Sequence, residues 1–368
     1  MPIPYRMKDE ETMWKDENPF FGLVNSHGNL MFAGVGCLHK SHEWLYSLGE
    51  FLMLIRLRAA TLLGGLALML PSLGESADWT QFRGPKADGV VEGGSLPTEW
   101  AAGKNLKWKI DVPGVGWSSP VIVGDKVFVT TVVTENQSKP RAGGGFGGGG
   151  PGGGGMGKGR GAPTTSHQFQ VICLDLATGK QLWKETAIDA KPKIPTHSSN
   201  TYATETPVTD GERIYAYFGM HGLFCYDLAG KQLWKKDLGV FPMQAGWGTA
   251  SSPVLDGDRL FIQCDNEEKS FIVALDKKDG HELWKISRSE RSTWSTPLVW
   301  KNSKRTEVVA LGGKVRSYNP ADGKLLWELN IGGGQCSVSP VANEDTLFVG
   351  AGAGGGGGGR PGGGGAPP

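Results

Sequence analysis

An all-β chain of four-stranded antiparallel blades set around an axis, a β-propeller, is the fold class that the sequence predicts, and two internal repeats predict it. The first is a phrase that recurs four times, from Cys173 to Trp183, Cys225 to Trp234, Ala274 to Trp284 and Ser317 to Trp327, each reading small residue, Asp or Asn, turn glycine, Leu-Trp. Its tryptophans stand 51, 50 and 43 residues apart, a period that suits one propeller blade and is too long for leucine-rich or helical-pair repeats. The second repeat lies between these phrases. Trp117-Ser-Ser-Pro-Val, Thr204-Glu-Thr-Pro-Val, Ser251-Ser-Pro-Val, Trp294-Ser-Thr-Pro-Leu and Val338-Ser-Pro-Val each open a strand, and most run through a Gly/Asn/Asp turn into a second strand rich in β-branched and aromatic residues. Hairpin plus phrase gives four strands per unit. One such sheet cannot cover both of its faces, so neighbouring units must stack on it.

The elements follow in order. Residues 1–52 fit no export signal and read as an upstream extension. Residues 53–77 read as a secretory signal: Met53-Leu-Ile-Arg-Leu-Arg58 is the basic start, Ala59 to Leu70 the apolar run, with cleavage expected after Ala77. That run falls short of the roughly 20 residues that span a bilayer. The propeller is expected over 78–350. Asn105 to Ile110 reads as an orphan fourth strand with Trp108 in the tryptophan position, placed to join Val338 to Val349. Within each phrase the Asp should cap the turn through its side chain, and the glycine should take a positive φ. Trp108, Trp183, Trp234, Trp284 and Trp327 are expected between adjacent blades, as packing residues.

Two glycine tracts carry much of the chain's 58 glycines. The first, within 143–162, inflates the loop between the second and third strands of the first blade, and the second forms a tail over 351–368. In register, the second tract begins where a third strand is due. The propeller is therefore expected to be incomplete, with about four full blades and a partial fifth. Cys173 and Cys225 hold the same place in successive repeats, where the third repeat has Ala274, and read as small packing residues. Beyond residue 77 there are 32 basic and 29 acidic side chains, a balance that argues against nucleic acid as a partner. No P-loop, nucleophile elbow, dinucleotide fingerprint or zinc-protease motif occurs in the sequence, and beyond residue 77 no set of histidines with metal-ligand spacing stands out; Cys37, His39 and His42, in the upstream extension, are spaced as a metal set could be.

The phrase Cys173-Leu-Asp-Leu-Ala-Thr-Gly-Lys-Gln-Leu-Trp183, with its three in-phase copies, resembles the tryptophan-docking repeat of the pyrroloquinoline-quinone (PQQ) type propellers. That superfamily holds quinoprotein alcohol dehydrogenases and the outer-membrane-protein assembly lipoprotein of Gram-negative bacteria. The resemblance implies the fold; it implies no single activity, because the phrase is structural in both branches. The dehydrogenase branch implies PQQ over a tryptophan floor, a calcium or lanthanide ion held by Glu, Asn and Asp, and often a disulfide between adjacent cysteines. Glu205, Asn200, Asp265 and Asn266 supply the residue types, and no Cys-Cys pair is present. The assembly branch implies a lipobox cysteine after the signal, where this chain has Asp78.

Segments just before each Ser/Thr-Pro strand should gather near the axis, where propellers present recognition surfaces. From them come the candidate ligand- or partner-binding residues His197, Tyr202, Glu205, Trp247, Arg291 and Trp294. The expectation is an exported, non-catalytic protein-interaction or ligand-binding scaffold of the bacterial periplasm or envelope, without cofactor, that binds protein partners or extended peptide segments and can associate peripherally with the envelope. The alternative is a truncated PQQ-dependent dehydrogenase, which would need PQQ and calcium.

Overall fold

The computed structural model describes residues 78–91, 97–101, 103–135, 161–332 and 336–350, together with the backbone of 23–24 and 29–32. The expected signal at 53–77, the tail at 351–368 and most of the glycine insert lie outside the described residues. Among those described there is no α-helix, and no helix long and apolar enough to cross a membrane. The first sheet orders β1 (Leu23–Val24), β2 (Asn29–Phe32) and β3 (Trp108–Asp111).

Four full blades follow, each an antiparallel meander. The first is β4 (Val121–Val123), β5 (Lys126–Thr134), β6 (His167–Asp175) and β7 (Gln181–Ala190); the second β8 (Val208–Thr209), β9 (Arg213–Tyr217), β10 (Leu223–Asp227) and β11 (Gln232–Lys236). The third is β12 (Val254–Asp256), β13 (Arg259–Cys264), β14 (Phe271–Asp276) and β15 (Glu282–Ser287); the fourth β16 (Leu298–Lys301), β17 (Thr306–Leu311), β18 (Lys314–Tyr318) and β19 (Leu325–Asn330). A two-stranded hairpin, β20 (Val341–Ala342) and β21 (Leu347–Phe348), begins a fifth unit. The chain is thus a propeller of four full blades and a partial fifth among the described residues.

Middle strands such as β6 are buried along nearly their whole length, whereas the outer strand β7 has no fully buried residue. The reason is stacking: a middle strand is covered on both faces by neighbouring blades, so apolar residues run continuously instead of alternating. Between the first and second blades, Phe128, Phe169 and Cys173 pack with Ile214, Phe224 and Tyr226. Val308 and Tyr318 of the fourth blade meet Phe261 and Ala274 of the third in the same way.

One device recurs in every blade. The tryptophan pairs across the sheet with a small residue, Cys173 with Trp183, Cys225 with Trp234, Ala274 with Trp284 and Ser317 with Trp327, and the register slips just past that residue. A bulge at this point twists the outer strand, and the small partner leaves room beside the indole. Beyond the bulge the turn is built as expected. Asp175 Oδ1 accepts the Thr178 N–H at 2.7 Å, Asp227 Oδ1 the Ala229 N–H at 3.0 Å, Asp276 Oδ1 the Lys278 N–H at 2.7 Å and Asn319 Oδ1 the Ala321 N–H at 2.9 Å.

The structure corrects one expectation. Strand β3 pairs with β2, Trp108 opposite Phe32, and not with Val338 to Val349. Trp108 lies over the Gly179 turn of the first blade and donates its Nε1–H to Leu176 O at 2.9 Å. That contact holds β3 beside the first blade, and β2 takes the strand edge available there.

Candidate functional site at the propeller axis

Two sets of backbone groups hold the inner strands together, and both position the axial segments. The residue before each proline cannot take a helical conformation, and its N–H reaches across to the next blade. The Ser119 N–H donates to Thr206 Oγ1 at 3.0 Å, Thr206 to Ser252 Oγ at 2.9 Å, Ser252 to Thr296 Oγ1 at 3.0 Å and Thr296 to Ser339 Oγ at 3.0 Å. This girdle of hydroxyls was missed in the sequence, although the signal was there: every unit has Ser or Thr before its proline. The second set is the segment 78–84. Trp79 exchanges backbone hydrogen bonds with Ile122 in β4, Thr80 O accepts the Thr209 N–H of β8 at 2.9 Å, and Arg83 Nη1 donates to Ser339 O at 3.3 Å. This segment therefore touches the first, second and fifth units, a role its sequence gave no sign of.

Three of the six candidates come together. Trp247 and Trp294 stack with centroids 5.3 Å apart and planes tilted by 36°, and His197 meets Trp247 edge-on at 6.4 Å. The loops that carry them are interlocked. Asn200 Nδ2 donates to Trp247 O at 2.8 Å and Trp294 Nε1 to Gly248 O at 2.7 Å. Gly248 has a φ of +77°, and a β-carbon there would run into Thr196 and Asn200, so the backbone must be glycine for the second and third axial segments to close on each other. His197 is exposed and both indoles are half-buried, which leaves an aromatic strip facing outward. Trp117 belongs to the same set and was missed. It holds the position of Trp294 in the first blade, makes the corresponding interblade bond (Trp117 N–H to Ala203 O, 2.8 Å; Trp294 N–H to Cys336 O, 2.8 Å), and is 50% exposed.

Of the other three candidates, Tyr202 packs beside Trp294 on a small core of Ile194, Met220 and Met243, while Arg291 and Glu205 lie outside the strip. Arg291 is exposed but held by Glu267, its Nε and Nη2 donating to Oε2 at 2.9 and 2.7 Å. Burial raises the Glu267 pKa, but hydrogen bonds from Ser292 and Arg291 outweigh it and keep the carboxyl below its ordinary range. Tyr202 donates its hydroxyl to Ile194 O at 2.9 Å and packs edge-on against His167; burial pushes the phenol up to about 12. Glu205 lies beneath the surface, 1% exposed, at the position where other blades carry Ser118, Ser251 and Ser295. Its Oε1 has no hydrogen-bond partner, and burial pushes the carboxyl up to about 7.

Of the acid–amide set that a PQQ–calcium site would require, Asp265, Asn200 and Asn266 are already engaged, and Glu205 alone keeps an unpartnered oxygen. Asp265 gives both oxygens to Arg288, at 2.8 and 3.1 Å, and both side chains are fully buried. Thr293 and Gln263 donate to the same carboxylate at 2.9 and 2.7 Å. Asn200 Oδ1 accepts Thr201 N–H and Thr204 Oγ1–H, and Asn266 Oδ1 accepts the Glu268 and Lys269 N–H groups. The oxygens of these three residues hold loops and a buried guanidinium, so the three do not fit a hard-cation cage. Among the described residues, Asp276, Asp279 and His281 bring three donor atoms within 4.8 Å of one another. They lie on an exposed turn where Asp276 caps the backbone and Asp279 binds His281 at 2.6 Å. The four described cysteines of the propeller are free thiols.

The family described as outer membrane protein assembly factor BamB matches residues 167–356. The outer membrane protein assembly factor BamB of Bordetella pertussis is 26% identical over 191 residues, covering 50% of this chain and 45% of that protein, so the chain spans about half the length of this curated relative. Among solved structures, BamB from Moraxella catarrhalis is similar with a TM-score of 0.36 and 15% identity, over 67% of this chain and 70% of that one. Quinohemoprotein alcohol dehydrogenase from Comamonas testosteroni gives a TM-score of 0.40 and 13% identity, over 70% of this chain and 41% of that one.

Proposed function

The chain belongs to the family described as outer membrane protein assembly factor BamB, and from that premise we propose that it is an exported, non-catalytic scaffold of the bacterial periplasm or envelope. In this reading the axial face receives extended segments of partner proteins on their way into envelope assemblies. The observation that carries it is the strip of His197, Trp247 and Trp294, with Trp117 in the equivalent position of the first blade. Indoles on interlocked loops offer large, rigid, amphipathic area at little entropic cost, which is the chemistry of a protein recognition surface. An extended segment fits such a strip because its alternate side chains face it while the other set stays in water. No cofactor takes part.

Site-specific photo-crosslinking tests this. A benzophenone side chain at position 197 or 294 should yield protein adducts in a Gram-negative envelope, whereas one at Leu233, exposed on the outer strand of the second blade, should yield none. Equal adducts at all three positions would overturn the axial assignment. Addition of PQQ and calcium to the purified chain tests the enzymatic alternative: the scaffold reading expects neither quinone absorbance on the protein nor dye reduction with alcohols.

A further inference from the structure

The segment 78–90, ahead of the first blade, holds to units that lie far apart along the stack. At one end Trp79 forms an antiparallel bridge with Ile122 of β4, donating to Ile122 O at 3.0 Å and accepting its N–H at 2.8 Å. Asp78 Oδ1 takes the Gly124 N–H at 2.8 Å, and Thr80 O the Thr209 N–H of β8 at 2.9 Å. The Trp79 ring packs in the first blade's cluster, with Ile122, Val127 and Leu174. At the other end Arg83 Nη1 donates to Ser339 O at 3.3 Å, and Ala87 packs against the cluster that holds Leu298 and Leu311 of the fourth blade and Cys336 of the fifth unit. This is the link to the fifth unit that Asn105 to Ile110 was expected to make.

Between these anchors the backbone is wound tightly and against its preference. The Gly84 N–H returns to Gln81 O at 2.9 Å, the Ala87 N–H to Gly84 O at 3.0 Å and the Gly89 N–H to Arg83 O at 2.9 Å. Arg83 and Ala87 have φ of +63° and +55°, in the left-handed region where a β-carbon is unfavourable. Such strain persists only where the surrounding contacts over-determine it. The Trp79 ring supplies one of those contacts. It lies on Gly84, φ +77°, so closely that a β-carbon there would stand 2.7 Å from it, as Trp183 lies on Gly230, Trp234 on Gly280 and Trp284 on Gly323 at the blade seams. Arg83 supplies another, its guanidinium over the Phe82 ring at 5.2 Å while it holds Ser339. The turn is thus locked from the first-blade side by an indole, and from the far side by Arg83 and Ala87.

We propose that the segment 78–90 is a clasp: its strained turn couples the first blade to the fifth unit, so that the two loosen together although three blades stand between them. The girdle of hydroxyls joins these units through the second, third and fourth blades, whereas the segment spans them directly. Coupling of this kind is reciprocal, so a change at either anchor is felt at the other. A slack tether would transmit nothing, since each anchor would answer to its own contacts alone. The clasp goes beyond the scaffold reading and uses none of its residues, so either can fail without the other.

Hydrogen exchange of the full chain, read by mass spectrometry, tests it with one variant at each anchor. Trp79→Ala takes the indole off Gly84, and the amides of the far hairpin, β20 and β21, should then exchange faster by about tenfold or more. Arg83→Ala removes the bond to Ser339, and the amides of β4 at the opposite anchor should speed up likewise. Amides of β13 and β14, in the third blade, should keep wild-type rates in both variants. Gly84→Ala leaves the side chains of both anchors in place but drives a β-carbon into the indole, and should speed both ends at once. Exchange that rises only at the mutated anchor overturns the clasp, and so does a wild-type hairpin without protection. Should Trp79→Ala speed every amide, the third blade included, the variant has unfolded, and Arg83→Ala with Gly84→Ala decides.

Discussion

The rim of the propeller and its axis are built from the same kind of side chain, yet they differ in how they vary from blade to blade. At the rim, an indole and a positive-φ glycine in the next blade recur with the same contacts at four seams, and at three of them a small residue stands opposite the indole. At the axis, Trp117 and Trp294 share one position, Tyr202 and Trp247 stand at others, and the second blade has a glutamate where the other full blades have serine. Repetition of a contact is what a packing role requires, because every seam poses the same problem. Variation on a fixed frame is what recognition requires. The girdle of Ser and Thr hydroxyls supplies that frame: it holds the inner strands alike in all units, so the loops above it can differ without loosening the stack.

The contrast can be broken by substitution, beginning where the largest effect is expected. Trp284→Ala removes a buried indole from a closed seam and should cost about 3–5 kcal/mol, measured by urea unfolding; a loss below about 1 kcal/mol would mean the seams do not rest on these rings. Next comes Glu205. Its pKa is about 7 in the fold against an ordinary 4.5, so the native chain binds more protons than the unfolded one between those values. Stability is then complete below about pH 4.5 and falls as pH rises through 7, by on the order of 3 kcal/mol. Glu205→Gln should abolish that fall, and parallel pH–stability curves for the two proteins would contradict the burial argument. Ser252→Ala leaves the Thr206 N–H without its acceptor at 2.9 Å and should cost about 1–3 kcal/mol. Smallest of all, Trp247→Ala and Trp294→Ala together should cost much less than Trp284→Ala, with calorimetry as the check. A double variant as unstable as Trp284→Ala would move the axial indoles into the packing class.

Much of the rim was legible in the sequence. The Asp175 cap and the positive φ of Gly179 read correctly because the repeat samples the same local geometry several times, so chance resemblance cancels. Cys173 and Cys225, opposite their indoles, were read as packing, and the bulge beside each leaves room there for a residue as small as Cys, Ala or Ser. The axis was legible as a region and less so as residues. His197, Trp247 and Trp294 share a strip because Gly248 lets two loops interlock, and nothing local to those residues announces it. Glu205 lies in an axial segment, yet its side chain is almost fully buried, beside Gly219 of the second blade. Arg291 is spent on Glu267, a residue 24 positions away. The pairing of β3 with β2 joins segments some 80 residues apart, and no repeat copy exists to hint at it.

The claim that the axis, not the rim, is where partners are received is tested most directly by binding. A fluorescent peptide of about ten residues with alternating apolar and polar side chains, the pattern of a barrel strand, would be titrated against wild type, the Trp247→Ala/Trp294→Ala double variant and Trp327→Phe, and followed by anisotropy. The account predicts saturable binding to wild type and Trp327→Phe, and a loss of at least about tenfold in the axial variant. Equal binding by all three proteins, or loss confined to Trp327→Phe, would contradict it.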